Sequence, residues 1–226
     1  LNEQALEAPS RYLDVMPGKG IRDKAIDTLN SRFKLPADQI IAIKKVVNLL
    51  HGASLMLDDI QDSSQLRRGK PAAHMVFGTM QTINTAGYRF LGALSEVMSL
   101  GSEKCLEIFC DELRNLYVGQ SHDLSWTCNL ECPTEAEYLA MVDNSALLSF
   151  PMSSAGPTLT RLSETAGLFR MLGRLMDAKS DSPEKPDIKL LTRFMSLLGR
   201  LFQIRDDYMN LTSADVSRSE GGALAQ

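Results

Sequence analysis

The sequence predicts an all-α bundle. Three long stretches repeat apolar residues at helical spacing, strand-type alternation is nearly absent, and no Asn-Gly or Asp-Gly pair marks a hairpin. The first stretch, Ile40 to Leu57, sets Ile43, Val46, Val47, Leu50 and Leu57 on one broad face. The second, Glu103 to Trp126, does so with Leu106, Phe109, Cys110, Leu113, Leu116 and Tyr117. The third, Ile188 to Leu211, uses Leu191, Phe194, Met195, Leu198, Phe202 and Tyr208. Pro17-Gly18 and Leu35-Pro36 mark turns, and Ser182-Pro183-Glu184-Lys185-Pro186 reads as a linker between helices. Ser145 to Ser163 has no steady period and holds Pro151, Gly156 and Pro157 among several serines. It would be an unusually long structureless loop inside a compact domain.

The 226 residues suffice for one domain with a substantial core, and 44% hydrophobic with 23% charged residues is ordinary globular composition. The net charge of −4 gives no basic excess that would point to nucleic acid. Cys128-x-x-x-Cys132 has half the spacing of a zinc site, but no second ligand pair follows it and His122 precedes it. Reduced, unpaired cysteines in a cytoplasmic protein are the expectation. No apolar run approaches the roughly 18 residues of a membrane span, and no secretory signal is visible. The chain begins at Leu1 rather than Met, which leaves any targeting segment unread.

The chemistry lies in charged clusters placed on these helices. Asp58-Asp59-Ile60-Gln61-Asp62 closes the first apolar stretch, and positions i and i+4 put Asp58 and Asp62 on one face. Carboxylates at the C-terminal end of a helix oppose its macrodipole, so the cluster needs either solvent or a cation. Magnesium, a hard ion, takes one or two carboxylates together with substrate phosphates. A second pair, Asp206-Asp207, sits between Ile204 and Tyr208, where burial is costly unless compensated. Anion-binding residues accompany the acidic ones. Arg67-Arg68-Gly69 follows the first cluster, Lys19 and Arg22 stand at a helix start, and His51 lies two turns before Asp58. Taken singly, these are surface charges and a helical histidine; together they outline one metal-bound and one cation-bound diphosphate site.

The run Leu50 to Asp62, followed by Leu66-Arg67-Arg68-Gly69-Lys70-Pro71 and His74, resembles the first aspartate-rich region of the trans-isoprenyl diphosphate synthases. Within that family it is most similar to fungal and other eukaryotic geranylgeranyl diphosphate synthases and to the prenyltransferase domains of fungal bifunctional terpene synthases. Gly119-Gln120-Ser121-His122-Asp123-Leu124-Ser125-Trp126 resembles the family's Gly-Gln-x-x-Asp-x-x-Trp segment, and Phe202 to Asn210 its second aspartate-rich region. The resemblance implies a single isoprenyl diphosphate synthase domain over 1–226, an isoprenoid synthase-type helical bundle that is C-terminally truncated. It implies that Asp58, Asp62 and Asp206 hold three Mg2+ ions on the allylic diphosphate, with Asp59 and Asp207 supporting. It assigns Arg67 to the allylic diphosphate and Lys19, Arg22, His51 and Arg68 to isopentenyl diphosphate, with Gln203 and Thr165 as further substrate contacts. The partners it implies are isopentenyl diphosphate and an allylic diphosphate, farnesyl diphosphate going to geranylgeranyl diphosphate. It also implies a homo-oligomer, or fusion or pairing with a terpene cyclase domain. Ala53 and Ser54, one turn before Asp58, are small where short-chain members carry an aromatic, so the product is expected to reach at least twenty carbons.

Two departures qualify this picture. The family reads Asn-Lys-Thr after a Met-Val pair, but Met141-Val142-Asp143-Asn144 runs into the irregular stretch, and the familiar text resumes only at Thr165-Ala166-Gly167-Leu168-Phe169. Residues 145–164 therefore read as an insertion or a translated intron, since joining the start of codon 145 to the end of codon 164 can restore the missing lysine codon. The chain also stops soon after Asp207, and Ser217 to Gln226 is atypical. A non-catalytic partner subunit is one alternative. A class I terpene cyclase is another, although it has no use for Lys19, Arg22, His51 and Arg68.

Overall fold

The computed structural model describes residues 2–16, 21–138 and 166–212, with the side chains at 2, 21, 166 and 202–212 outside the described set. The described elements are helices α1 (Asn2–Asp14), α2 (Ile21–Phe33) and α3 (Ala37–Gln61), strands β1 (Leu66–Arg67) and β2 (Lys70–Pro71), and helices α4 (Ala73–Phe77), α5 (Thr79–Ser99), α6 (Glu103–Asn129), α7 (Ala166–Lys179) and α8 (Ile188–Thr212). The all-α expectation is met. Segment 145–164, the tail 217–226, Lys19 and Thr165 lie outside the described residues.

The chain divides into two compact units, one of residues 1–112 and 170–194 and the other of 113–169 and 195–226. The first is organised around α3. Pro36 precedes that helix and cannot extend it backwards, and from Ile40 onward apolar residues recur so densely that thirteen residues of α3 are buried. Each large aliphatic among them contributes about 1.5–3 kcal/mol. By length and composition α3 could cross a membrane, contrary to the sequence expectation, but most of its apolar window is buried within the protein. It is a core helix.

Helix α5 packs along α3 through a face of small buried residues, Thr82, Thr85, Ala86, Ala93 and Val97. Helix α1 lies against both. Its Pro9 has no N–H, so the Ala5 carbonyl lacks its helical donor; Gln81 Nε2 of α5 supplies one at 3.0 Å. Tyr12 then ties α1 to the hairpin by donating to the Pro71 carbonyl at 2.9 Å.

The hairpin β1–β2 was not foreseen. It pairs Leu66 with Pro71 and Arg67 with Lys70, and its turn residues Arg68 and Gly69 have φ of 52° and 77°. Two positive φ values define the turn type that Asn-Gly normally announces. Here an arginine occupies the strained position, which removed the usual signal.

The buried faces of α6 and α8 also differ from expectation. Cys105, Ile108, Phe109 and Glu112 are buried on α6, whereas Cys110 and Tyr117 are exposed. The face is turned by roughly one residue because Glu112, with two arginine partners, can point inward. On α8, Leu191 and Met195 are buried but Phe194 is exposed. All four cysteines are free.

Candidate diphosphate site

The end of α3 places the first acidic cluster. The Asp62 N–H donates to the Asp58 carbonyl at 2.8 Å, so helical geometry persists to Asp62 and both carboxylates stay on one face. Asp58 and Asp59 are buried, and Asp62 is half-buried. Asp59 points elsewhere: its Oδ2 accepts from Arg67 Nε at 2.7 Å, with both side chains more than nine-tenths buried. That pair fixes the hairpin against α3. Asp59 thus acts on Arg67 within this structure rather than standing beside Asp58 and Asp62.

A cavity of about 600 Å3 opens beside this pair. It is lined by four residues that the sequence singled out, Arg22 from α2, His51 from α3, and Arg67 and Arg68 from the hairpin. Asp58 and Asp62 do not line it. Arg68 Nη1 donates to the Met16 carbonyl at 3.2 Å, which holds the end of α1 at the cavity wall. Gln203, Asp206 and Asp207 belong to α8, and their side chains are outside the described residues.

The cavity is electrostatically crowded. Burial, and then the neighbouring Arg68, push the Arg22 guanidinium down to about 10, with Asp23 offsetting only part of the effect. Burial and Arg67 lower Arg68. His51 has both ring nitrogens shielded from solvent, and burial followed by Arg22, Arg67, Arg68 and Arg89 holds its pKa well below the usual value. It is therefore a neutral imidazole at pH 7, able to donate one hydrogen bond. Positive charge gathered to this degree disfavours its own charged forms, and a multiply charged anion reverses that penalty.

The residues at this cavity that escaped the sequence analysis include Arg89 of α5, Asp14 of α1 and Gly52 of α3, with Asp23, Lys45 and Asn48 beside them. Arg89 did leave a signal, since it is the single long charged side chain on α5's buried face of threonines, alanines and valine.

A family model described as polyprenyl synthetase matches residues 3–156 and 160–220. The chain belongs to the polyprenyl synthetase family. The two matched stretches part within the irregular segment. Phomopsene synthase of Phomopsis amygdali is 49% identical over 98% of this chain and 28% of that protein. A bifunctional sesterterpene synthase of Aspergillus aculeatus is 46% identical over 96% of the chain and 27% of that protein. A geranylgeranyl pyrophosphate synthase of Macrophomina phaseolina is 45% identical over 98% of the chain and 61% of that protein. The chain thus spans less than a third of the first two relatives and under two thirds of the third. In this polyprenyl synthetase chain, Arg22, His51, Arg67 and Arg68 meet at one cavity.

Proposed function

We propose that this chain is the prenyl-transferring part of a trans-isoprenyl diphosphate synthase, joining isopentenyl diphosphate to farnesyl diphosphate to give geranylgeranyl diphosphate. The observation that carries the reading is the cation-crowded cavity, where Arg22, Arg68 and neutral His51 face a space suited to a diphosphate. These residues would hold isopentenyl diphosphate by its charged end and leave its double bond oriented for attack on the allylic carbon. Arg67, fixed by Asp59, keeps its position without substrate, so its charge is in place before the allylic C–O bond breaks.

Asp58 and Asp62 suit magnesium: two hard oxygen donors one turn apart can bind an ion that completes its shell with diphosphate oxygens and water. When bound, magnesium neutralises the departing diphosphate. Asp206 and Asp207 are proposed on the sequence resemblance to serve the same end. The proton lost after attack goes to the released diphosphate.

Similarity to the geranylgeranyl pyrophosphate synthase supports the twenty-carbon product, and so do Ala53 and Ser54, which are small and buried. Similarity to a bifunctional sesterterpene synthase supports fusion or pairing with a cyclase domain. Self-association is supported by α5, which exposes Met80, Ile83, Leu91 and Met98 along one side. Incubating the full-length protein with radiolabelled isopentenyl diphosphate, farnesyl diphosphate and magnesium tests the reading. A labelled product of at least twenty carbons is expected; no incorporation overturns it, and arrest at farnesyl diphosphate from shorter primers overturns the product length.

A further inference from the structure

Arg89 crosses from α5 toward α1 over the backbone of α3. Its Nη1 donates to Ser10 Oγ at 2.6 Å and to Asp14 Oδ1 at 3.0 Å; its Nη2 donates to Asp14 Oδ1 at 3.1 Å. Its Nε finds no partner among the described residues, and the side chain is more than nine-tenths buried in the cavity wall. This path exists because residue 52 is glycine. A β-carbon there would lie 2.6 Å from the guanidinium carbon and 2.7 Å from Nη1. A residue normally unfavourable inside a helix is thus the one that admits the arginine.

The partner matters as much as the arginine. Asp14 stands in the last turn of α1, lines the same cavity, and keeps half its side chain exposed. Two residues later, the Met16 carbonyl receives Arg68. The end of α1 must therefore close this side of the cavity, yet it carries a carboxylate that repels a diphosphate.

We propose that Arg89 is a positioning residue of the diphosphate cavity: passing over Gly52, it holds and neutralises Asp14, so that α1 closes the cavity without presenting a bare negative charge to the substrate. This rests on the reading of the cavity as a diphosphate site. The role differs from that of Arg22 and Arg68, because the Arg89 terminal nitrogens are occupied by Ser10 and Asp14 of α1 and, at 3.5 Å, by the Asn48 carbonyl of α3, and act on the ligand through Asp14.

Binding of inorganic pyrophosphate without magnesium, measured by calorimetry on the full-length protein, tests this with Arg89→Met, Arg89→Lys, Asp14→Asn, Gly52→Ala and the double variants. Arg89→Met is expected to weaken binding about tenfold by unmasking Asp14, and Arg89→Lys to restore part of it. Asp14→Asn alone should bind at least as well as wild type. Arg89→Met with Asp14→Asn has the wild-type net charge and should recover to within about threefold. Gly52→Ala retains every charge but displaces the guanidinium, so it should mimic Arg89→Met and add nothing to it. Melting curves identify any variant that fails to fold, in which case Gly52→Ala provides the independent route.

Wild-type affinity in Arg89→Met or in Gly52→Ala overturns the proposal. So does a loss in Arg89→Met that Asp14→Asn does not rescue, because a purely structural defect should deepen when a second bond is removed. If pyrophosphate binds wild type and Arg22→Met weakens binding about 10- to 100-fold while Arg89→Met does not weaken it, the cavity reading stands and this inference alone falls. If wild type binds no pyrophosphate, both fall.

Discussion

Two groups of arginines in the same compact unit use different electrostatic arrangements. In one, Glu112 of α6 is buried and receives Arg170 Nε at 2.8 Å on one carboxylate oxygen and Arg174 Nη1 at 2.6 Å on the other. Arg174 also lies 3.5 Å from Asp111. Two cations there face two carboxylates, the hydrogen-bonding demand is met internally, and the result pins α7 to α6. At the cavity, burial and then Arg68 lower Arg22, burial and then Arg67 lower Arg68, and burial followed by four arginines holds His51 neutral. The first group is complete without a ligand. In the second, Arg67 has Asp59 and Arg89 has Asp14, and the proposed function adds a diphosphate for the remaining charge of Arg22 and Arg68.

The strongest challenge to this division comes from the carboxylates that the proposed function assigns to chemistry. Asp58→Ala or Asp62→Ala in the full-length protein should leave the fold intact but lower elongation on the order of 10^3-fold or more, because several kcal/mol of leaving-group stabilisation is lost. Incorporation of labelled isopentenyl diphosphate measures this, and near-normal turnover in either variant would sink the assignment.

The balanced group should respond the other way. Glu112→Ala leaves two arginines facing a buried void, and removing one member of such a set costs about 3–5 kcal/mol. Urea denaturation should register that loss while pyrophosphate affinity of the folded fraction stays unchanged. A stable Glu112→Ala protein with impaired pyrophosphate binding would erase the contrast between the groups.

Arg22→Met is the matching experiment at the cavity. The lowered Arg22 pKa means that keeping this group charged works against folding at neutral pH, so its removal should leave stability equal or higher. A lost charge-assisted hydrogen bond of about 1.5–3 kcal/mol should weaken pyrophosphate binding by about 10- to 100-fold. Titration calorimetry and a melting curve on one sample give both numbers.

How far the sequence disclosed these regions depended on distance along the chain. The α3 core face, the Asp58–Asp62 spacing and the run Arg67-Arg68 are local, and helical periodicity exposes them. Arg22, His51 and Arg68 were legible as separate cations, although nothing local states that they line one cavity. The Arg89–Asp14 contact joins residues 75 positions apart over a glycine on a third helix, and no periodic pattern encodes that meeting. The Arg68 turn was hidden for a different reason. Its left-handed backbone is occupied by a side chain that ordinarily avoids it, at a local cost of roughly 1–2 kcal/mol. On α6 the inward turn of Glu112 misled the pattern, because a carboxylate counts as a surface residue until its two arginines are known.

His51 gives the smallest effect and the most direct reading of the positive charge around it. Its pKa is depressed in the folded protein, so below the ordinary value of about 6.5 the unfolded chain binds a proton that the folded chain does not. The unfolded state then holds more protons, and stability must fall as pH drops, with a slope of up to about 1.4 kcal/mol per pH unit. Urea denaturation at pH 7.0 and 5.5 should show this loss in wild type, and His51→Gln should remove most of it. Saturating pyrophosphate should also reduce the slope, because an anion among Arg22, Arg67, Arg68 and Arg89 favours the imidazolium that those arginines suppress. An unchanged pH dependence in His51→Gln would remove His51 as its source, and a slope indifferent to pyrophosphate would place the anion away from His51.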